Sequence, residues 1–214
     1  MKTHSRILAG KTDAIRRALT TMGVRLEFRP LTRDLWQDLE TLFGPRGAYS
    51  GCWCMWWRCS RKEFADNGNE GNKRAFRRIV NSGDVPGVLA YADSQPVGWC
   101  SVAPRDSYSS LQRSPTLKSP DGRPCWSIVC LFVSRSWRGR GISRALVEAA
   151  VAHVRAAGGR LVEAYPTRPR GRRLSTVSSY MGTPAIFEHA GFRECARPSE
   201  ARVIMRRELR PQKR

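Results

Sequence analysis

The chain has 214 residues, 38 Lys+Arg against 18 Asp+Glu, 41% hydrophobic residues and 7 cysteines. That length buries a core without disulfide or metal staples, and a charged fraction of 26% beside a near-average apolar content excludes an intrinsically disordered chain and a disulfide-stapled miniprotein. No apolar run approaches the ~20 residues that cross a bilayer, and the apolar patch Ile7–Gly10 is too short for a secretion signal, so a cytoplasmic protein with no membrane partner is expected.

The net charge of +20 suggests an anionic partner, but residues 1–25, 167–173 and 202–214 carry 14 of those charges. The body is therefore mildly basic, and the excess belongs to the ends and one loop rather than to a nucleic-acid face. Residues 1–24 are expected to form a basic, poorly ordered extension and 209–214 a basic tail, around a single domain over 25–208. Cys100, Cys125 and Cys130 fall in or beside apolar strand-like runs, as buried thiols in a reducing compartment do.

Leu26 to Leu31 alternates apolar and polar residues and predicts a half-buried strand. Thr32 then reads as a helix N-cap, with Leu35, Leu39, Leu42 and Phe43 at helical spacing and Gly44-Pro45 as the stop. Beyond an aromatic, cysteine-rich stretch over 49–59, a second helix is predicted from Arg61 to Val80, interrupted at Asn67–Gly71. Gly87–Ala92 and Val97–Ala103 around the turn Asp93–Pro96 predict a β-hairpin, and 105–123 a loop. Trp126–Val133 is the most apolar run and should be a central strand covered on both faces. A helix follows from Ile142, its apolar face including Ala145, Leu146, Ala149 and Val154, stopped by Gly158-Gly159. A strand over 160–165, a short helix capped by Thr183 with Pro184 first, and strands over 192–197 and 202–208 complete the chain.

Between the central strand and its helix lies Arg138-Gly139-Arg140-Gly141-Ile142-Ser143. Glycines there let a ligand approach the main chain at a positive helix end, an arrangement suited to a diphosphate. The third glycine and later carboxylate of a dinucleotide fold are missing, as is the Gly-Lys-Ser/Thr ending of a P-loop. The segment resembles the cofactor motif of the GNAT superfamily of acyl-CoA-dependent N-acyltransferases, Gln/Arg-x-x-Gly-x-Gly/Ala between strand and helix. Downstream, Ala185-Ile186-Phe187-Glu188-His189-Ala190-Gly191-Phe192 resembles that family's second motif, a short helix ending in Gly-Phe. The likeness covers about 25–208 and implies a single α/β domain with a mixed, mostly antiparallel sheet of about seven strands flanked by helices.

The resemblance also implies that main-chain N–H groups of Arg138, Gly139, Arg140, Gly141, Ile142 and Ser143 hold the diphosphate of acetyl-CoA, while Leu131, Phe132 and Val133 pair with its pantetheine arm as an added strand. The implied reaction moves an acetyl or short acyl group to a small-molecule or peptide amine by direct attack in a ternary complex, with no metal. The chain departs from the family at the tyrosine that often acts as acid, which is Phe187 here, and at a central-strand carboxylate, near which Ser127 lies. Candidate substitutes are Glu163 and Tyr165, on one face of their strand, and Tyr180 just before the short helix. Trp53, Met55, Trp56 and Trp57 lie where such proteins shape the acceptor pocket and would make an aromatic wall for a flat or cationic group. Cys52, Cys54 and Cys59 lack the paired spacing of a zinc site. The rival reading is a GNAT-like module without catalysis that binds nucleic acid through the basic tails and the 168–173 loop.

Overall fold

The computed structural model describes residues 24–169 and 180–210. Seven strands, β1 (Leu26–Pro30), β2 (Gly87–Ala92), β3 (Gln95–Pro104), β4 (Trp126–Val133), β5 (Leu161–Ala164), β6 (Arg193–Ala196) and β7 (Ile204–Glu208), form one sheet in the order β1-β2-β3-β4-β5-β7-β6. The pairing of β4 with β5 is parallel and the rest are antiparallel. This is the mixed, mostly antiparallel sheet expected from the sequence.

Local chemistry accounts for the joints. Asp93 and Ser94 at φ 48° and 68° make a two-residue turn whose twist matches the β2–β3 hairpin. That turn is tighter than predicted, so β3 begins at Gln95; Pro96, which has no N–H to give the ladder, lies opposite Tyr91 beside a register shift that leaves Val97 without an opposite residue. Thr32 is extended as a cap should be, but its hydroxyl donates to the Asp34 carboxylate at 2.6 Å, and a single 3₁₀ turn over Arg33–Leu35 precedes helix α1 (Trp36–Phe43). Helix α2 (Arg61–Asn81) opens with a capping box between Ser60 and Glu63 and is kinked at Gly68, inside the predicted interruption. The predicted 105–123 loop contains one short helix, α3 (Ser109–Gln112). Helix α4 (Ile142–Ala156) gives way to Gly158 at φ 80°, and α5 (Pro184–His189) follows Thr183.

Both faces of the sheet are covered. Ile142, Leu146, Val147 and Ala150 of α4 pack on Val88, Cys100, Ile128 and Val162 on one face. Trp36, Leu39 and Phe43 of α1 and Phe76 and Val80 of α2 pack on Leu89, Tyr91 and Trp99 on the other. Two covered faces explain why β2 is buried at every position instead of alternating. Each large apolar side chain so buried contributes about 1.5–3 kcal/mol. Leu209, just past the last strand, is buried, and its amide donates to the Arg160 carbonyl at 2.8 Å. Apart from Val24, the expected N-terminal extension lies outside the described residues, as do positions 211–214.

Candidate active site

The parallel pair β4–β5 is short. Its register runs from Trp126 opposite Val162 to Ile128 opposite Ala164, where β5 ends, while β4 continues to Val133. Beyond that point the strands no longer pair, and residues 129–133 line a cavity of about 790 Å³. A register shift between β3 and β4 leaves Val129 with no opposite residue, a bulge that bends the strand where the gap opens. Across the gap, the Leu131 N–H donates to the Tyr180 carbonyl at 2.6 Å, which anchors the turn before α5. Gly182 makes that close approach possible: its φ is +78°, and a Cβ there would lie 2.8 Å from the Phe187 ring.

At one end of the cavity the chain passes through Arg138 to Ser143. Gly139 and Gly141 take φ of 79° and 80°, conformations that cost a side-chain-bearing residue about 1–2 kcal/mol. Arg138, Gly139 and Arg140 are exposed, and α4 begins at Gly141 without a side-chain cap. Helix geometry leaves the Ile142 and Ser143 N–H groups without an intrahelical acceptor at the positive end of this 15-residue helix, whereas the Arg144 N–H donates to the Gly141 carbonyl at 3.0 Å. The Arg138 N–H, expected to hold the diphosphate, donates instead to the Arg135 carbonyl at 3.4 Å. Arg138 Nε donates to the Val133 carbonyl at 3.0 Å, and Arg138 and Ser143 line the cavity. The Arg140 guanidinium lies 4.8 Å from the Trp137 ring centre. Ile142 is buried in the core, so only its backbone belongs to this loop.

This strand, gap, glycine loop and helix form the fold unit that a family model matches over residues 52–173, described as the acetyltransferase (GNAT) family. The chain belongs to the GNAT acetyltransferase family. Its fold is similar to that of a polyamine N-acetyltransferase from Drosophila melanogaster, at 14% identity and a TM-score of 0.53, with 86% of this chain and 100% of that one covered. It is also similar to a GNAT family acetyltransferase from Streptococcus agalactiae, at 12% identity and a TM-score of 0.51 over 86% and 96% of the two chains. No curated protein matches the sequence.

The three candidate proton-transfer residues of this GNAT domain separate in space. Tyr180 lines the cavity, and burial pushes its phenol up to about 12. Glu163 and Tyr165 do share a face, as strand alternation predicted, but both are fully buried and neither is among the residues lining the cavity. Glu163 Oε1 accepts from Arg105 Nη1 at 2.8 Å and from the Tyr165 hydroxyl at 2.5 Å, and Oε2 accepts from Arg206 Nε at 2.7 Å. Since that hydroxyl has one proton to give, Ser127 Oγ donates to it at 2.8 Å, and Arg105 donates to it as well. The Tyr165 phenol is pushed well up by burial and by the adjacent Glu163 charge. Fully buried, absent from the cavity lining and already bonded to two guanidiniums and a phenol, the Glu163 carboxylate does not face the cleft as expected, and neither does Tyr165. Phe187, at the family's tyrosine position, is buried edge-on to Phe192 with ring centres 5.3 Å apart.

The aromatic wall is also only partly as expected. Trp56 and Trp57 line the cavity. Trp53 and Met55 do not: both are buried in the core, where Trp53 stacks on Trp36 at 6.1 Å and its indole N–H donates to Asn69 at 2.7 Å. The chain turns there through left-handed conformations at Ala48, Ser50, Trp53 and Cys54, which send neighbouring side chains to opposite sides. Tyr49, Phe64 and Phe43 complete the wall, and no local sequence pattern marks them.

Three thiols also line the cavity. Cys54 Sγ accepts from the Trp99 indole N–H at 2.9 Å, and donation from Cys130 and that indole lowers the Cys54 thiol and raises Cys130. Cys52 is pushed up to about 11, chiefly by burial. All seven cysteines are free, and among the described residues no group of three His, Cys, Asp or Glu is arranged to hold a metal. Among the described residues no helix is long and apolar enough to cross a membrane. The 1–23 and 211–214 segments that carry much of the basic charge lie outside the described residues, as do 170–179.

Proposed function

We propose that this GNAT protein moves an acetyl or other short acyl group from acyl-coenzyme A to an amine, on a small molecule or a peptide, by direct attack in a ternary complex. The observation that carries the reading is the continuity of two features: the gap beside residues 129–133 and, at its end, the glycine loop 139–141 that opens helix α4. A diphosphate bound there would place an extended arm along the open edge of β4.

Alternate residues of a strand present their backbone groups to the same side, so the Val133 N–H and the Leu131 carbonyl face the gap as the Leu131 N–H does. The backbone of Phe132 points to Trp99 on β3, and Phe132 contributes its ring. The Leu131 N–H is held by Tyr180 and the Val133 carbonyl by Arg138, which leaves the Val133 N–H and the Leu131 carbonyl as the pair for the arm. Orientation of the thioester against the amine supplies most of the rate in such a site. Tyr180 remains protonated throughout the physiological range and is the group positioned to give the departing thiolate its proton.

Calorimetric titration with acetyl-CoA tests the reading. Binding in the micromolar range is expected, and Gly141→Trp should abolish it by filling the diphosphate loop. Binding that survives this change would overturn the proposal. Thiol release from acetyl-CoA in the presence of an amine panel then measures transfer itself.

A further inference from the structure

The acceptor end of the cavity has a chemical bias that the transfer reaction does not require. Its walls include Tyr49, Trp56, Trp57, Phe64 and Tyr180, flat and largely apolar. None of the described lining residues is an Asp, Glu or His. The charges that are near are positive. Arg138 is itself a lining residue, and the Arg61 guanidinium lies 3.4 Å from the Trp56 ring centre and 5.4 Å from that of Trp57.

Two consequences follow for an amine. An alkylammonium entering this space would leave its hydration shell with no carboxylate to replace it, while facing cations of like sign. The Trp56 and Trp57 rings already carry one cation, the chain's own Arg61, which repels a second that would approach them by cation–π attraction. An alkylammonium must also lose a proton before its nitrogen can attack, and the lining offers no carboxylate or imidazole to take it. An amine conjugated to an aromatic ring meets neither obstacle. Its lone pair is delocalised into the ring, so it is uncharged near neutral pH, and its flat body matches the aromatic walls.

We infer that the acceptor is an aromatic amine, an arylamine or a heteroaryl amine, that reaches the site already neutral. The inference rests on the acyltransferase reading above and narrows it. The nitrogen lone pair attacks the thioester carbonyl carbon and the C–S bond breaks. Tyr180 gives its hydroxyl proton to the departing sulfur and recovers one from the acylated nitrogen, so that aromatic amine and acyl-CoA become the N-aryl amide and free coenzyme A. No external base or co-reactant enters the balance. The titratable groups that line the cavity are Tyr49, Tyr180 and the thiols of Cys52, Cys54 and Cys130, with Arg138 in the lining and Arg61 against Trp56 as the fixed charges.

The test uses the full chain, with thiol release from acetyl-CoA measured for 4-methylaniline, phenethylamine and spermidine, beside calorimetric binding of acetyl-CoA. At pH 7 the expected kcat/KM for 4-methylaniline exceeds that for phenethylamine by at least about tenfold and that for spermidine by about a hundredfold. With 4-methylaniline the rate should be flat from pH 6.5 to 9, whereas phenethylamine should gain about tenfold per pH unit as its neutral fraction grows. Trp56→Ala should raise the KM for 4-methylaniline at least about fivefold. Equal or better use of phenethylamine or spermidine at pH 7 would overturn the inference. So would a 4-methylaniline rate that climbs with pH and loses that climb in Cys54→Ala, which would make the thiol a base. If acetyl-CoA binds but 4-methylaniline is not acylated, this inference fails and the acyltransferase reading stands. If acetyl-CoA does not bind, the parent reading fails first.

Discussion

Replacing Glu163 by Gln separates a structural carboxylate from a catalytic one. The native side chain is fully buried and accepts three hydrogen bonds, from Arg105, Arg206 and Tyr165. Gln keeps one oxygen to accept with, but its NH₂ must face a guanidinium or a phenol that is also a donor. Arg105 and Arg206, whose side chains are only 12% and 10% exposed, then keep their charge with too little to neutralise it. Breaking one side of a buried ion pair costs about 3–5 kcal/mol. Arg206 retains Asp121 at 2.8 Å and Ser119 at 3.0 Å, so the lower end, about 3 kcal/mol, is expected. At about 2–4 °C per kcal/mol for a domain of this size, Tm should fall by about 6–12 °C in a thermal scan followed by circular dichroism. At a temperature where the variant remains folded, its kcat/KM for thiol release should stay within about threefold of the parent. An unchanged Tm together with a rate loss of about 10² or more would refute the reasoning and return Glu163 to the role of base.

Tyr180→Phe removes the proposed acid without removing the ring, so kcat should fall by about 10², with the acetyl-CoA dissociation constant unchanged by calorimetry. Gly87→Ala should destabilise by about 3 kcal/mol in urea unfolding, because its Cβ would sit 2.2 Å from the Cys100 carbonyl oxygen, a backbone atom that cannot step aside. His153 packs edge-on to Trp126 at 5.8 Å with its Nε2 buried and no partner among the described residues, and burial lowers its affinity for a proton. The unfolded chain then binds that proton more readily, so stability should decline as pH falls below about 6.5. His153→Leu should flatten the decline by at most about 1.4 kcal/mol per pH unit, less the part that solvent reaching the ring screens away.

The predicted strands and helices correspond closely to those observed because their signals are local. The β2–β3 hairpin, the run Trp126–Val133 and the helix stopped at Gly158 each follow from periodicity and turn chemistry within about ten residues. The glycine loop was equally legible, since a left-handed φ at positions 139 and 141 leaves few alternatives to Gly. Segment 47–59 was not. Its left-handed turns put Trp53 into the core and Trp56 at 37% exposure, and nothing in the composition of three nearby tryptophans tells one from another. Glu163 misled for a related reason: strand alternation predicts which face a side chain takes, but its partners Arg105 and Arg206 lie 58 and 43 residues away.

The sequence by itself determined the order of elements and the place of the glycine loop, because backbone propensity and chain chirality act between neighbours. The tertiary structure alone decided that β4 and β5 part after Ile128, that Tyr180 and not Tyr165 lines the cavity, and that no Asp or Glu stands among the described residues lining it. Those outcomes depend on which distant side chains meet once the sheet closes, and contacts of that range leave no periodic trace in the chain.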